Sequence, residues 1–119
     1  MTVGRTRLPA TSSAAFRRTE LQRSPSPAPG REIVQTLVEN PVDSACGSHS
    51  HPGPEVGYIV QGDVAMGFDD RPALELHAGD PFLIPPDVVH DARNVGTLPT
   101  KMLSTYLVDE TRPLVTLYG

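Results

Sequence analysis

Apolar residues fall in short runs throughout residues 32–117, and each run is closed by a polar turn. Residues 32–38 carry β-branched and apolar side chains on both faces, the pattern of a strand packed on two sides, and Asn40-Pro41 ends it. Further runs at 56–60, 64–68, 74–76, 82–84, 88–89, 102–108 and 114–117 alternate with the turn signals Gln61-Gly62-Asp63, Asp69-Asp70-Arg71-Pro72, Ala78-Gly79-Asp80 and Pro85-Pro86-Asp87, and with residues 96–99. No stretch keeps a helical period between caps. Many short strands with regular Gly/Pro punctuation predict an all-β sandwich or barrel.

The first 30 residues read differently. Residues 24–30 form a Ser/Pro-rich crossing, and residues 14–23 have a weak pattern that fits either an edge strand or one helical turn. The sequence therefore divides into a basic, Pro/Ser-containing segment, 1–30, acting as a tail or an edge strand, and a barrel, 31–119. With 119 residues there is room for one domain, and 13 prolines and 10 glycines enforce frequent turns. Charge follows the same division: residues 1–30 balance at +4 through Arg5, Arg7, Arg17, Arg18 and Arg23, and the remainder at −8. An acidic domain without a basic cluster is a poor nucleic-acid binder. Cys46 is the single cysteine, which excludes an intrachain disulfide and a thiolate cluster. No apolar run reaches membrane-spanning length and residues 1–25 lack a signal-peptide core, so no membrane partner and a cytoplasmic location are expected.

Candidate chemistry concentrates in Gly47-Ser-His49-Ser-His51-Pro-Gly-Pro-Glu55. In a strand, i and i+2 share a face, so His49 and His51 project together. The Pro-Gly-Pro that follows reverses the chain and should bring Glu55 in on the adjacent strand. Two imidazoles and a carboxylate form a donor set for a first-row divalent metal. A second segment, residues 79–94, turns at Gly79 and sets a rigid Pro85-Pro86 corner before His90; three of the four histidines lie in these two segments.

These segments resemble the two motifs of the cupin superfamily. His49, His51, Glu55 and Gly62 fit the first, whose leading glycine falls at Asp43; Gly79, Pro85, His90 and Asn94 fit the second, where Asp87 replaces a glycine. The resemblance spans about residues 31–117. It implies a double-stranded β-helix (jelly-roll) barrel holding one divalent transition metal (Fe, Mn, Ni or Zn) on His49, His51, Glu55 and His90. It also implies a homodimer paired through sheet edges.

Gly57 and Ile59 share the Glu55 face, while Tyr58 is out of phase and should point away. Ile59, Met66, Phe82 and Tyr106 are candidate substrate-binding walls, with Phe68 and Met102 beside them, though any of them suits an ordinary core. His77, Asp91 and Arg93 read as surface residues. The expected function is an enzyme of small-molecule metabolism, a dioxygenase or a metal-assisted isomerase, cyclase or lyase on an oxygen-chelating substrate, with Glu55 as candidate base. The alternative is a non-catalytic, metal-dependent binding or sensing module.

Overall fold

A computed structural model describes residues 16–118 and arranges them in two five-stranded sheets. The strands are β1 Arg17–Pro25, β2 Arg31–Asn40, β3 His49–Ser50, β4 Glu55–Gln61, β5 Asp63–Phe68, β6 Leu74–His77, β7 Pro81–Ile84, β8 His90–Asn94, β9 Thr100–Asp109 and β10 Thr116–Leu117. One sheet has the order β1-β2-β9-β4-β7 and the other β10-β3-β8-β5-β6, antiparallel throughout. The all-β expectation holds. Among the described residues no helix is long and apolar enough to cross a membrane.

Period-2 alternation places the core between the sheets. Along β9, Thr100, Met102, Ser104, Tyr106 and Val108 point inward, and β2 contributes Val34, Thr36, Val38 and Asn40. Val38, Ile59, Phe82, Ile84 and Met102 of the first sheet pack against Val64, Met66, Leu76 and Ala92 of the second. Residues 32–38 are thus buried on one face only: Ile33 is exposed, because no layer among the described residues covers the outer side of the first sheet. The run at 88–89 follows the Pro86-Asp87 turn and leads into β8 without being strand itself, with the Val89 carbonyl accepting from Asp69 N–H at 3.2 Å.

Of the two readings open for residues 14–23, the strand is the one formed from Arg17 onward. β1 pairs with β2 from Arg17↔Glu39 to Pro25↔Glu32, with a bulge that leaves Leu21 unpaired between Glu20 and Gln22. Ion pairs flank it: Arg17 to Glu39 at 3.3 Å, and Arg23 to Glu32 at 2.7 Å and to Glu20 at 2.8 Å. Residues 1–15, including Arg5 and Arg7, lie outside the described residues.

Candidate metal centre

Three imidazoles meet where the sheets face each other. His49 of β3 stands opposite His90 of β8 in the register, and His51, two residues on, keeps the same side. Ring centroids are 4.9 Å apart for His49–His51, 4.3 Å for His49–His90 and 5.2 Å for His51–His90. One donor atom from each lies within 4.8 Å of the others. Glu55 enters from the facing sheet, on β4, with Oε1 3.3 Å from Nε2 of both His51 and His90. All four side chains are buried.

The Pro-Gly-Pro segment therefore carries the chain across to the opposite sheet, not to an adjacent strand as the spacing suggests. β9 fixes this crossing: Leu107 N–H donates to the Pro54 carbonyl (3.2 Å) and Asp109 N–H to the Pro52 carbonyl (3.1 Å). Gly53 is required here, because a Cβ would fall 1.9 Å from the Leu107 carbonyl oxygen.

Each imidazole is oriented by its other nitrogen. Nδ1–H donates to a backbone carbonyl in every case: His49 to Gly47 (2.7 Å), His51 to Leu114 (2.8 Å) and His90 to Val88 (2.8 Å). Carbonyl oxygens only accept, so the proton of each neutral ring resides on Nδ1 and Nε2 presents a lone pair. The Nε2 lone pairs of His51 and His90 then converge on the carboxylate Oε1 of Glu55. His51 Nε2 and Glu55 Oε1 are buried without a hydrogen-bond partner among the described residues. Such a convergence of acceptors is stable only around a proton or a cation. Two donors each about 2.1 Å from one ion at right angles stand about 3 Å apart, close to the spacing found. The residues fit a metal.

The electrostatics agree. Burial pushes the His49 imidazole down to about 4, helped by the neighbouring His90, His51 and Arg18 charges against the pull of the Gly47 carbonyl. Burial alone would raise Glu55, but a proton shared with the facing His51 and His90 rings, the positive charge such a convergence of acceptors calls for, outweighs burial and holds the carboxyl well below the usual carboxylate range. Tyr106 O–H donates to Glu55 Oε2 at 3.3 Å and packs 4.5 Å from the His51 ring. Burial and the Glu55 charge push its phenol up, so it remains a neutral donor.

A cavity of about 210 Å³, part of it open to solvent, adjoins the cluster; Arg18, Val38, Cys46, Met66, Ala92, Met102 and Tyr106 line it with His49, Glu55 and His90. Met66 and Tyr106 thus stand at the cavity as candidate walls. Ile59 and Phe82 pack in the core beyond it, and Phe68 at its margin. Phe82 covers Gly57, whose missing side chain makes the room. Tyr58 points outward, and His77 pairs at the surface with Asp63 (2.7 Å). Asp91 accepts from Gly47 N–H (2.9 Å) beside His49, and Arg93 is exposed. Cys46 lines the cavity with Sγ 3.5 Å from the Asn40 amide that donates to it, and is not in the metal-capable cluster. Asn94 is a brace: its Nδ2 donates to the Asn40 and Leu98 carbonyls and its Oδ1 accepts from Gly96 N–H.

The two motif positions lacking glycine keep a glycine backbone. Asp43 has φ 66° and Asp87 φ 62°, both left-handed. Aspartate is among the few residues that enter this region readily. Arg18 was missed by sequence reasoning.

A two-sheet β-barrel with a three-histidine cluster and a facing carboxylate defines a protein whose interior can bind a metal ion. A family model for the cupin domain matches residues 36–106, more than half of the chain, and the chain belongs to the cupin family. It is 35% identical over 74 residues to Uncharacterized protein MJ1618 of Methanocaldococcus jannaschii, covering 60% of this chain and 58% of that protein. It is also 35% identical over 66 residues to germin-like protein subfamily T member 3 of Arabidopsis thaliana, covering 51% and 29%. The chain thus spans less than two thirds of the length of either curated relative, 58% of one and 29% of the other. Among solved structures, a conserved double-stranded β-helix protein from Klebsiella pneumoniae superposes with TM-score 0.74 at 19% identity, over 91% of this chain and 88% of that one. The DMSP lyase DddQ of Ruegeria pomeroyi gives 0.73 at 23%, over 93% and 55%. These likenesses show the fold alone.

Proposed function

We propose that the chain is a metal-dependent enzyme of small-molecule metabolism, acting on a small substrate that chelates through adjacent oxygens. The observation that carries this is the convergence of His51 Nε2, His90 Nε2 and Glu55 Oε1 on one buried point beside a cavity. His49, His51, His90 and Glu55 would hold one divalent Fe, Mn, Ni or Zn. Bound there, the ion supplies Lewis acidity toward a carbonyl or enolate oxygen, or, as iron, a site for O₂. Glu55 is the proton-handling group: its Oε2 is held by Tyr106, and no second carboxylate lines the cavity. Oxidative cleavage and metal-assisted isomerisation, cyclisation or elimination are the reactions this equipment supports. The absence of a second acid or base among the described lining residues is what favours the alternative, a metal-dependent binding module.

The same reading includes a cytoplasmic homodimer. Its support is the outer face of the first sheet, where Val56, Tyr58, Val60, Leu83 and Leu107 lie exposed on neighbouring strands. A contiguous apolar face of this kind is typical of an interface.

The test is metal content of untagged protein together with His51→Ala. One ion per chain is expected in the parent. In the variant, metal and the metal-dependent gain in melting temperature should disappear together, since the ion stabilises only the folded state. A parent chain with no affinity for Fe, Mn, Ni or Zn would sink the reading; activity unchanged in Glu55→Gln would remove Glu55 as base.

A further inference from the structure

Arg18 has no place in the donor set, yet its position is specific. The β1–β2 register sets it opposite Val38, whose side chain is buried in the core, so Arg18 lies on the inward face of an edge strand while Arg17 and Arg23 are engaged at the surface. It lines the same cavity as His49, Glu55 and His90. Its guanidinium lies 5.1 Å from the centre of the Phe16 ring, which supports the plane without consuming a donor. Nε is buried and finds no hydrogen-bond partner among the described residues, and no acid among them pairs with the side chain. A buried guanidinium donor without an acceptor implies a ligand that supplies one.

We propose that Arg18 is the anion-recognising wall of the cavity, receiving the carboxylate of a small 2-oxo or 2-hydroxy acid. This rests on the metal-site reading above. Such an acid chelates an ion through one carboxylate oxygen and the neighbouring hydroxyl or keto oxygen, leaving its second carboxylate oxygen for Arg18. Guanidinium suits this role because its planar fork matches a carboxylate. Charge agrees: a divalent ion, Glu55 and Arg18 would leave two surplus positive charges around the cavity, and among the remaining lining residues none is acidic. Arg18 thus divides the labour with the histidine cluster, one selecting charge and the other adjacent oxygens.

The experiment titrates the full chain, loaded with cobalt(II), with lactate and with its uncharged analogue lactamide, following the visible cobalt absorption; cobalt per chain is measured in parallel. Lactate should bind the parent more tightly than lactamide. Arg18→Gln should weaken lactate about ten- to a hundredfold while leaving lactamide binding and cobalt stoichiometry unchanged, and Arg18→Lys should fall between. Equal lactate affinity in parent and Arg18→Gln, or no preference for lactate in the parent, overturns the assignment while the metal reading stands. An Arg18→Gln chain that loses cobalt or fails to fold, with Arg18→Lys binding lactate like the parent or no more tightly than lactamide, also overturns it. A parent chain that takes up no cobalt overturns the metal reading and this inference together.

Discussion

Gly57 gives the sharpest test of how the barrel floor is built. A Cβ at this position would lie 2.0 Å from Cζ of Phe82 and 2.3 and 2.4 Å from its Cε atoms, against an ordinary carbon–carbon contact of about 3.5–4.0 Å. The backbone cannot retreat, because β4 is paired on both sides, with Gly57 opposite Phe82 on β7 and Ser104 on β9. Gly57→Ala must therefore displace the ring. Expelling a phenylalanine forfeits about 1.5–3 kcal/mol of burial, and forcing the methyl in beside it costs about 1–3 kcal/mol. The expected loss is about 2–3 kcal/mol, a large share of the roughly 5–15 kcal/mol that holds a domain folded. Urea unfolding of metal-stripped protein should show a lower midpoint with an unchanged slope. Phe82→Ala alone should cost about 3–5 kcal/mol, and adding Gly57→Ala to it should cost no more than about 0.5 kcal/mol further. Additive losses in the double variant would refute the argument, since the ring would then not be what the glycine accommodates.

Other outcomes follow from the same geometry. With His49 pushed down to about 4 by burial, the unfolded chain takes up the proton first as pH falls. Stability of the metal-free chain should be fully present above about pH 6.5, and decline by up to about 1.4 kcal/mol per unit toward pH 4; denaturation against pH for the parent and His49→Gln checks this, and equal slopes would contradict it. Leu83→Glu places a charge on the β7 side of the exposed face of the first sheet, beside Val56, and light scattering should show a single-chain mass where the parent is a dimer. Asp43→Gly relieves a left-handed aspartate and should raise stability by no more than about 1 kcal/mol; a loss of that size in thermal melts would show that the carboxylate, not the turn, matters there.

The strands and the histidines were legible because both are written in local periodicity. Alternation placed His49 with His51 and turned Tyr58 away from Glu55, and the spacing of two segments anticipated His90. Depth along the barrel was not legible: period-2 alternation says which face Ile59, Met66, Phe82 and Tyr106 share, but not which of them reach the cavity. Nor does local pattern reveal which sheet a strand joins, and so Glu55 was expected beside the histidines and stands across from them. Arg18 was hidden by non-local pairing. Its face is set by the register with Val38, twenty residues on, and the bulge at Leu21 changes the phase partway along β1. Asp43 and Asp87 mark a different limit, since the turns demand a backbone region and not glycine itself.

The donor set straddles the two sheets, with the histidines attached to one and Glu55 to the other. An ion gripped from both sides would act as a rivet, converting a joint held by apolar contact into one held by coordination. Breathing of one sheet against the other would then be gated by occupancy. Amide hydrogen exchange would register this as slower opening of β3 and β4 together upon loading, while β6, at the far edge of the second sheet, would exchange at the same rate in either state.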